Sequence, residues 1–518
     1  MAGISNEWFG DLRRRQYYLF LEESSLGLSG GCMDIRKEDE LRSLVITVAL
    51  LTLSIAAVGS SFWGVLLLSI GEIGKVELAL FFLPLVVYIC LTVSWINVRN
   101  NSHSHALWFL FVAVPSVTAF SLYMIPGWVP DEPGHICQAY ALFTRNSGGF
   151  DVPVALRDLP HNYQEMYASL TCAPSWNDCE VVRRFFSSYF DHLYFIPWLV
   201  LTLGKCFQSN TLAALVVARL ANGLFYVCVS ACLLKAIPVC KTPFLVFLLN
   251  PMLLQQEASC SADAIANIVG IAYCVAVIAL YIRKSYTRKN AIGVTALFVL
   301  LLLSKSMYAP LALISLLFVG DFATKKTTRL IYILTAFGCI VIAVAVVNAY
   351  HGSFLPESFA LMRQPLHCVK VLSKTIWELG PFYVESYAGK MLGPLSILVW
   401  PPCFWAYCAL QLVVLFYRDE DDSGHFVSRD RVMVFIVALV DAVLIILTQR
   451  GWSLEMDHRE DIICGAQGRY FIPIVLTPLL MCSAERLGNS KGRVLATSCA
   501  ILSMILLLDM VSVSISFL

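Results

Sequence analysis

Residues 127–143 read GWVPDEPGHICQAYALF, and three side chains in that stretch are of types that do chemistry. Asp131 and Glu132 are adjacent carboxylates between Pro130 and Pro133, and His135 follows Asp131 at the spacing of one helix face. A carboxylate near a reacting hydroxyl takes its proton, and a carboxylate pair can instead hold a divalent cation. A structural role competes with both: either acid could cap a short helix with Pro133 in its first turn. The spacing of Ile136, Tyr140 and Phe143 fits such a helix, amphipathic and lying on a membrane interface. Further along stand Asp263 in SCSADA, Lys305 in SKSMYAP, and Arg469 with Tyr470 in QGRYF. Each has a plainer role to weigh. Asp263 would cap the helix that follows it, Arg469 would snorkel to an interface, and Tyr308 and Tyr470 would sit in an aromatic belt. Gln255, Gln256 and Glu257 are expected to be solvated at a loop tip.

The chain that must position these groups is strongly apolar: 58% hydrophobic and 14% charged residues over 518 positions, with a mean hydropathy of +0.72. No water-soluble fold of that length covers so much apolar surface. Stretches long enough to cross a hydrocarbon core of about 30 Å recur throughout, so an all-α polytopic membrane protein is expected. The net charge of +1 says nothing about nucleic acid, and no basic run looks like a nucleic-acid footprint. Residues 1–42 are polar and carry Arg13, Arg14 and Arg15, which reads as a cytoplasmic tail before a retained first span. Most of the 18 cysteines lie in apolar runs. Cys172 and Cys179 lie in a polar loop, either as a disulfide or as two free thiols.

Apolar runs fall at 44–66, 76–97, 106–126, 192–207, 211–237, 243–258, 262–283, 290–304, 306–321, 328–350, 391–417, 432–449, 468–485 and 494–517. Basic residues in short loops mark the cytoplasmic side, most clearly RKSYTRK (283–289) and TKKTTR (324–329). Between two inside loops the chain crosses an even number of times. Residues 290–321 are then a hairpin with arms of about 15 residues, or about 22 Å each, and Lys305 at its tip. The same parity puts 127–191, the tip near 255–263, 351–390 and 450–467 on the outer face. The unusual polar residues therefore converge on one side. One run resists the scheme: 211–237 looks like a single crossing between Lys205 and Lys235, both read as inside. The span number is left at 13 or 14, divided as a tail (1–42), two spans (43–105), a core (106–485) and a last span (486–518).

PDE after an early span, then a histidine and a short helix, resembles a bacterial polytopic family of unknown function grouped with the GT-C glycosyltransferases. SYFDHLYFIPWLVLTLGK (188–205), ARLANGLF (218–225), NPMLLQQEASCSADAIAN (250–267), SKSMYAPLALI (304–314) and QGRYFIPI (467–474) continue the likeness over about 125–475. The resemblance implies a GT-C-like bundle of about 13–14 helices with a helical outer loop. It implies an enzyme of the plasma membrane, its N-terminus cytoplasmic and its site outside. That enzyme moves a sugar from a polyprenyl-phosphate donor to a cell-envelope glycan or other acceptor. Carried onto this chain, Asp131 or Glu132 is the catalytic base. Arg469 first and Lys305 second take the lipid phosphate, with His135, Asp263, Tyr470 and Gln467 lining donor or sugar. Some GT-C enzymes use a divalent metal (Mg or Mn), for which Asp131 and Glu132 would be the ligands. Two other classes compete: a lipid-linked sugar flippase or other carrier, and a non-catalytic subunit of an envelope-polysaccharide assembly complex. A carrier should show internal repeats and charges at mid-membrane depth. No repeat is evident.

Overall fold

The computed structural model describes residues 29–98, 104–143, 149–182, 189–284, 287–315, 338, 355–417, 426–483 and 493–518. By its contacts the chain divides into 1–54 and 55–518. The described part of the first unit is helical, and apart from the first helix everything below concerns the second.

In chain order the helices are α1 (Ser29–Ser69), α2 (Lys75–Val98), α3 (His105–Tyr123), α4 (Glu132–Tyr140), α5 (Tyr163–Thr171), α6 (Phe195–Cys206), α7 (Thr211–Ala236), α8 (Lys241–Leu248) and α9 (Pro251–Glu257). They continue as α10 (Ala262–Arg283), α11 (Arg288–Ser304), α12 (Leu355–Met362), α13 (Pro365–Tyr387), α14 (Pro401–Val413), α15 (Ser428–Thr448), α16 (Arg450–Met456), α17 (Ile472–Met481) and α18 (Arg493–Phe517). Two small antiparallel ladders, β1 (Phe150–Pro153) with β2 (Cys179–Val182) and β3 (Met391–Leu392) with β4 (Ile397–Leu398), are the described sheet. An all-α polytopic membrane protein is what the structure is.

Among the described residues seven helices are long and apolar enough to cross a bilayer: Leu41–Ser69, Lys75–Ile96, His105–Tyr123, Thr211–Ala236, Ala262–Arg283, Ser428–Met456 and Arg493–Phe517. Three shorter apolar helices join them, Lys289–Ser304, Pro401–Phe416 and Gly468–Met481. Two of the remaining apolar runs do not become simple spans. Run 192–207 yields only the 12-residue α6. Run 243–258 breaks at Asn250 into α8 and α9, because Asn250 caps the second helix by accepting from Leu253 N and Pro251 has no N–H to continue the first. Runs 306–321 and 328–350 lie largely outside the described residues.

The long helices give the bundle two ends, and side-chain bonds sort the loops between them. Asn210 Nδ2 donates to Ser169 O at 2.8 Å, and Trp176 Nε1 donates to Ser209 O at 2.7 Å. The start of α7 therefore meets the 149–182 loop. At its other end Arg283 donates to Ala236 O at 2.9 Å. Lys205 Nζ donates to the Tyr140 hydroxyl at 2.8 Å, which places it with α4 and not with Arg283. Lys205 and Lys235 thus stand at opposite ends of α7 and do not mark one side together. Helix α6 starts and finishes near the same end, so α7 is one crossing and the parity conflict disappears.

Two other expectations change. Helix α4 forms as predicted, but Glu132, His135, Ile136, Gln138 and Ala139 are buried, so it is a wedge in the fold more than a float on its surface. Gln255, Gln256 and Glu257 are fully buried instead of solvated, and Gln255 clamps the β3–β4 turn through Gly393 N (2.8 Å) and Gly393 O (3.3 Å). Cys172 and Cys179 are both exposed free thiols. The segment 351–390, expected as an outer loop, is mostly α12 and α13.

Candidate functional site

Asp131 occupies the N-cap position of α4 but does not cap it: no side-chain bond reaches the helix N–H groups. Its backbone is left-handed, φ 64°. A non-glycine residue there costs about 1–2 kcal/mol, tolerated best by Asp and Asn. The carboxylate turns to Arg469, whose guanidinium it meets at 2.5 Å. The exposures differ sharply, 65% for the Asp131 side chain and 2% for that of Arg469. The pair is thus an open carboxylate resting on a buried cation.

Arg469 is placed by a 3-10 turn, Gly468–Phe471, that leads into α17. The turn lies directly on α13, where a Cβ at Gly468 would collide with the backbone of Tyr383 and Tyr387, and Gly468 N donates to Ser386 Oγ at 2.9 Å. Only glycine permits that approach. Arg469 also donates to Pro130 O (3.1 Å) and to the Tyr470 hydroxyl (3.3 Å), and its Nε lies 3.4 Å from Asp263 Oδ2.

Asp263 is in the first turn of α10, yet the N-cap is Ser261, whose side chain accepts from Asp263 N. The carboxylate is free to bridge Arg469 and Lys305, with Lys305 Nζ 2.5 Å from Oδ1. The ammonium also lies over the Tyr470 ring (4.5 Å) and the Tyr189 ring (5.7 Å). Tyr308 donates to Tyr470 O at 3.0 Å. Two cations and two carboxylates close a cluster that joins the loop before α4, the start of α10, the end of α11 and the turn before α17.

His135 borders the cluster. Burial pushes its imidazole down to about 4, against the raising influence of Asp263 and Asp131. It is neutral at pH 7, with Nδ1 2.7 Å from the Tyr194 hydroxyl. Gln467 contributes its backbone carbonyl to Tyr470 N at 3.0 Å, while its side-chain oxygen is buried without a partner.

Glu132, one residue on, has a different role. It is fully buried and ion-paired with equally buried Arg219 at 3.1 Å. Gly127 N (2.9 Å) and Cys260 N (3.1 Å) donate to its two oxygens. Glu132 therefore ties the loop before α4 to α7 and to the turn before α10. The neighbouring acids face different partners, and among the described residues no three His, Cys, Asp or Glu side chains gather as metal ligands. The donor set does not fit a divalent ion held by Asp131 and Glu132.

The structure thus brings Asp131, Asp263, Lys305, His135, Arg469 and Tyr470 together and sets Glu132 apart. Sequence reading missed Arg219, Tyr189 and Tyr194. An arginine within the apolar run 211–237 was the available signal for the first. The tyrosines had none beyond their place in an aromatic-rich stretch.

A helical membrane bundle with a buried, charge-balanced cluster at one end is the class that fold and site define. The chain belongs to the family described as predicted membrane protein (DUF2142), whose model matches residues 177–477. The match takes in Asp263, Lys305 and Arg469 and stops short of Asp131. No curated protein matches the chain, and no solved structure does.

Proposed function

We propose that the protein is a membrane glycosyltransferase of GT-C type, moving a sugar from a polyprenyl-phosphate donor to a cell-envelope glycan or other acceptor. The site would face outward across the plasma membrane. One observation carries this reading: an exposed carboxylate, Asp131, rests on a buried guanidinium, Arg469, with Lys305 joined to it through Asp263. A lipid phosphate competes with Asp131 for Arg469, since guanidinium binds phosphate with two parallel hydrogen bonds. Its arrival frees Asp131 to face the acceptor.

The acceptor oxygen then bonds to the anomeric carbon while the bond from that carbon to the phosphate oxygen breaks. The hydroxyl proton passes to Asp131. The electron pair leaves with the lipid phosphate, whose added charge is met by Arg469 and Lys305, already in place. Neutral His135 positions Tyr194 and keeps the wall of the site uncharged. Glu132 supports the geometry and is not the base, because its oxygens are occupied.

The test is transfer from a labelled polyprenyl-phosphate sugar in membranes. Asp131→Asn keeps the left-handed backbone accessible and is expected to lower transfer by about 10²-fold or more, the scale of general-base catalysis, at unchanged expression. Wild-type rates in Asp131→Asn would sink the mechanism. A second reading, a carrier of lipid-linked sugars, is favoured by Asp441 in α15 and Asp509 in α18. These are buried acids in candidate spans, with both oxygens of Asp441 and one of Asp509 lacking a hydrogen-bond partner. Movement of the donor across vesicles without transfer would support it.

A further inference from the structure

One helical turn along α10 from Asp263, a second polar set is enclosed where α7, α9 and α10 meet. Glu257, the last residue of α9, is fully buried, and neither carboxyl oxygen has a hydrogen-bond partner among the described residues. Gln256 Oε1, Asn222 Oδ1 and Asn267 Nδ2 are buried and equally unpartnered. Asn222 is fixed by donating from Nδ2 to Ser259 O at 2.7 Å, and Ser259 Oγ donates to Gln256 O at 2.6 Å. The Asn267 amide is the donor beside the Glu257 carboxyl and favours its charged form, though without a hydrogen bond of normal geometry. The nearby charge is Asp263, of the same sign. Arg219, one turn before Asn222, is already committed to Glu132.

The imbalance is chemical as well as electrostatic. Of these unpartnered atoms four are oxygens and one is an amide nitrogen, and the Asn267 amide presents oxygen instead when turned over. Buried polar atoms are ordinarily paired, so such a set calls for a partner that is positive or donates. We propose that Glu257, with the side-chain oxygens of Asn222 and Gln256, binds a small hard monovalent cation, sodium before potassium. Oxygen-only ligands select hard cations. A single carboxylate balances one positive charge, whereas a divalent ion would leave the interior charged. Bound there, the ion braces residues 256–263, the turn that carries Cys260 N to Glu132 and Asp263 to Lys305. The inference does not rest on the transferase reading.

The experiment is thermal unfolding of the purified full chain in detergent at pH 7.5, in NaCl, KCl or choline chloride at equal ionic strength, alongside binding of radioactive sodium. Sodium is expected to raise the apparent Tm by about 2 °C or more over choline at saturation, with one ion bound per chain. Glu257→Gln should abolish both effects, and Asn222→Ala should shift half-saturation to higher sodium by about tenfold, the equivalent of about 1.4 kcal/mol. Equal Tm in all three salts with no bound sodium overturns the proposal and leaves Glu257 a neutral buried acid. Stabilisation by divalent ions alone overturns the charge assignment. Sodium binding undiminished in Glu257→Gln places the ion elsewhere and overturns the site. Should Glu257→Gln fail to fold, the wild-type salt series and the Asn222→Ala titration decide.

Discussion

Neighbouring acids can have opposite fates, and Asp131 and Glu132 do. Removing one partner of a buried ion pair leaves the other uncompensated, at a cost of about 3–5 kcal/mol. Glu132→Ala or Arg219→Ala is therefore expected to lower expression and melting temperature sharply. Asp131→Asn should leave both near wild type. Equal stability losses in Asp131→Asn and Glu132→Ala would contradict the division of roles. His135 adds a pH dependence whose sign is fixed by its lowered pKa. Between about 4 and the unfolded value of 6.5 the unfolded chain binds more protons. The stability from keeping His135 neutral is thus complete above pH 6.5 and lost as pH falls towards 4, by about 3 kcal/mol at most. His135→Asn should flatten melting curves across that window; an unchanged slope would refute the assignment. Sequence reading paired Asp131 with His135 by spacing and Arg469 with Lys305 by side. It could not tell which acid was buried, because that depends on Arg219, 87 residues beyond Glu132.

At the scale of elements, the least legible part was the support of Arg469. Nothing in QGRYF announces that α13, about 90 residues earlier, lies against it. The sign was Gly468, whose need for glycine appears only once the two backbones are seen together. Gly468→Ala is expected to displace the turn and cost about 1–3 kcal/mol, as overpacking does, with loss of activity beyond loss of fold. Wild-type stability and activity in that variant would mean that the contact yields easily. The run 243–258 shows a second limit. Its hydropathy is that of a span, but Asn250 and Pro251 break it, and the break allows α9 to turn inward. Charge parity gave Lys205 and Lys235 the same side although they stand at opposite ends of α7, since a lysine beside a tyrosine hydroxyl carries the same letter as one facing the cytoplasm.

The whole molecule follows from composition more directly than any part of it. With 58% hydrophobic residues, helices that satisfy their own backbone are the form open to a membrane chain besides a closed barrel. The exposed faces of α2 and α15 accordingly carry leucine, valine and isoleucine such as Leu80, Leu83, Val86, Ile436 and Leu439. Convergence of Asp131, Asp263, Lys305 and Arg469 was legible as a shared side of the membrane, not as a contact. Their distances depend on how α10, α11 and α17 pack, which periodicity does not encode.

The pairing of two carboxylates with two cations has a consequence for how a ligand arrives. The formal charges of the cluster cancel, so it casts little field into the surrounding water and cannot draw an anion from a distance. On the proposed function, a lipid-linked donor comes by lateral diffusion along the bilayer and meets the guanidinium after displacing Asp131. Raising ionic strength from about 0.01 to 1 M shortens the screening length from about 30 to 3 Å, and should change the association rate by less than about threefold, far below the 10–10³ of steered encounters. A steep fall with added salt would show that charges outside the cluster guide the approach.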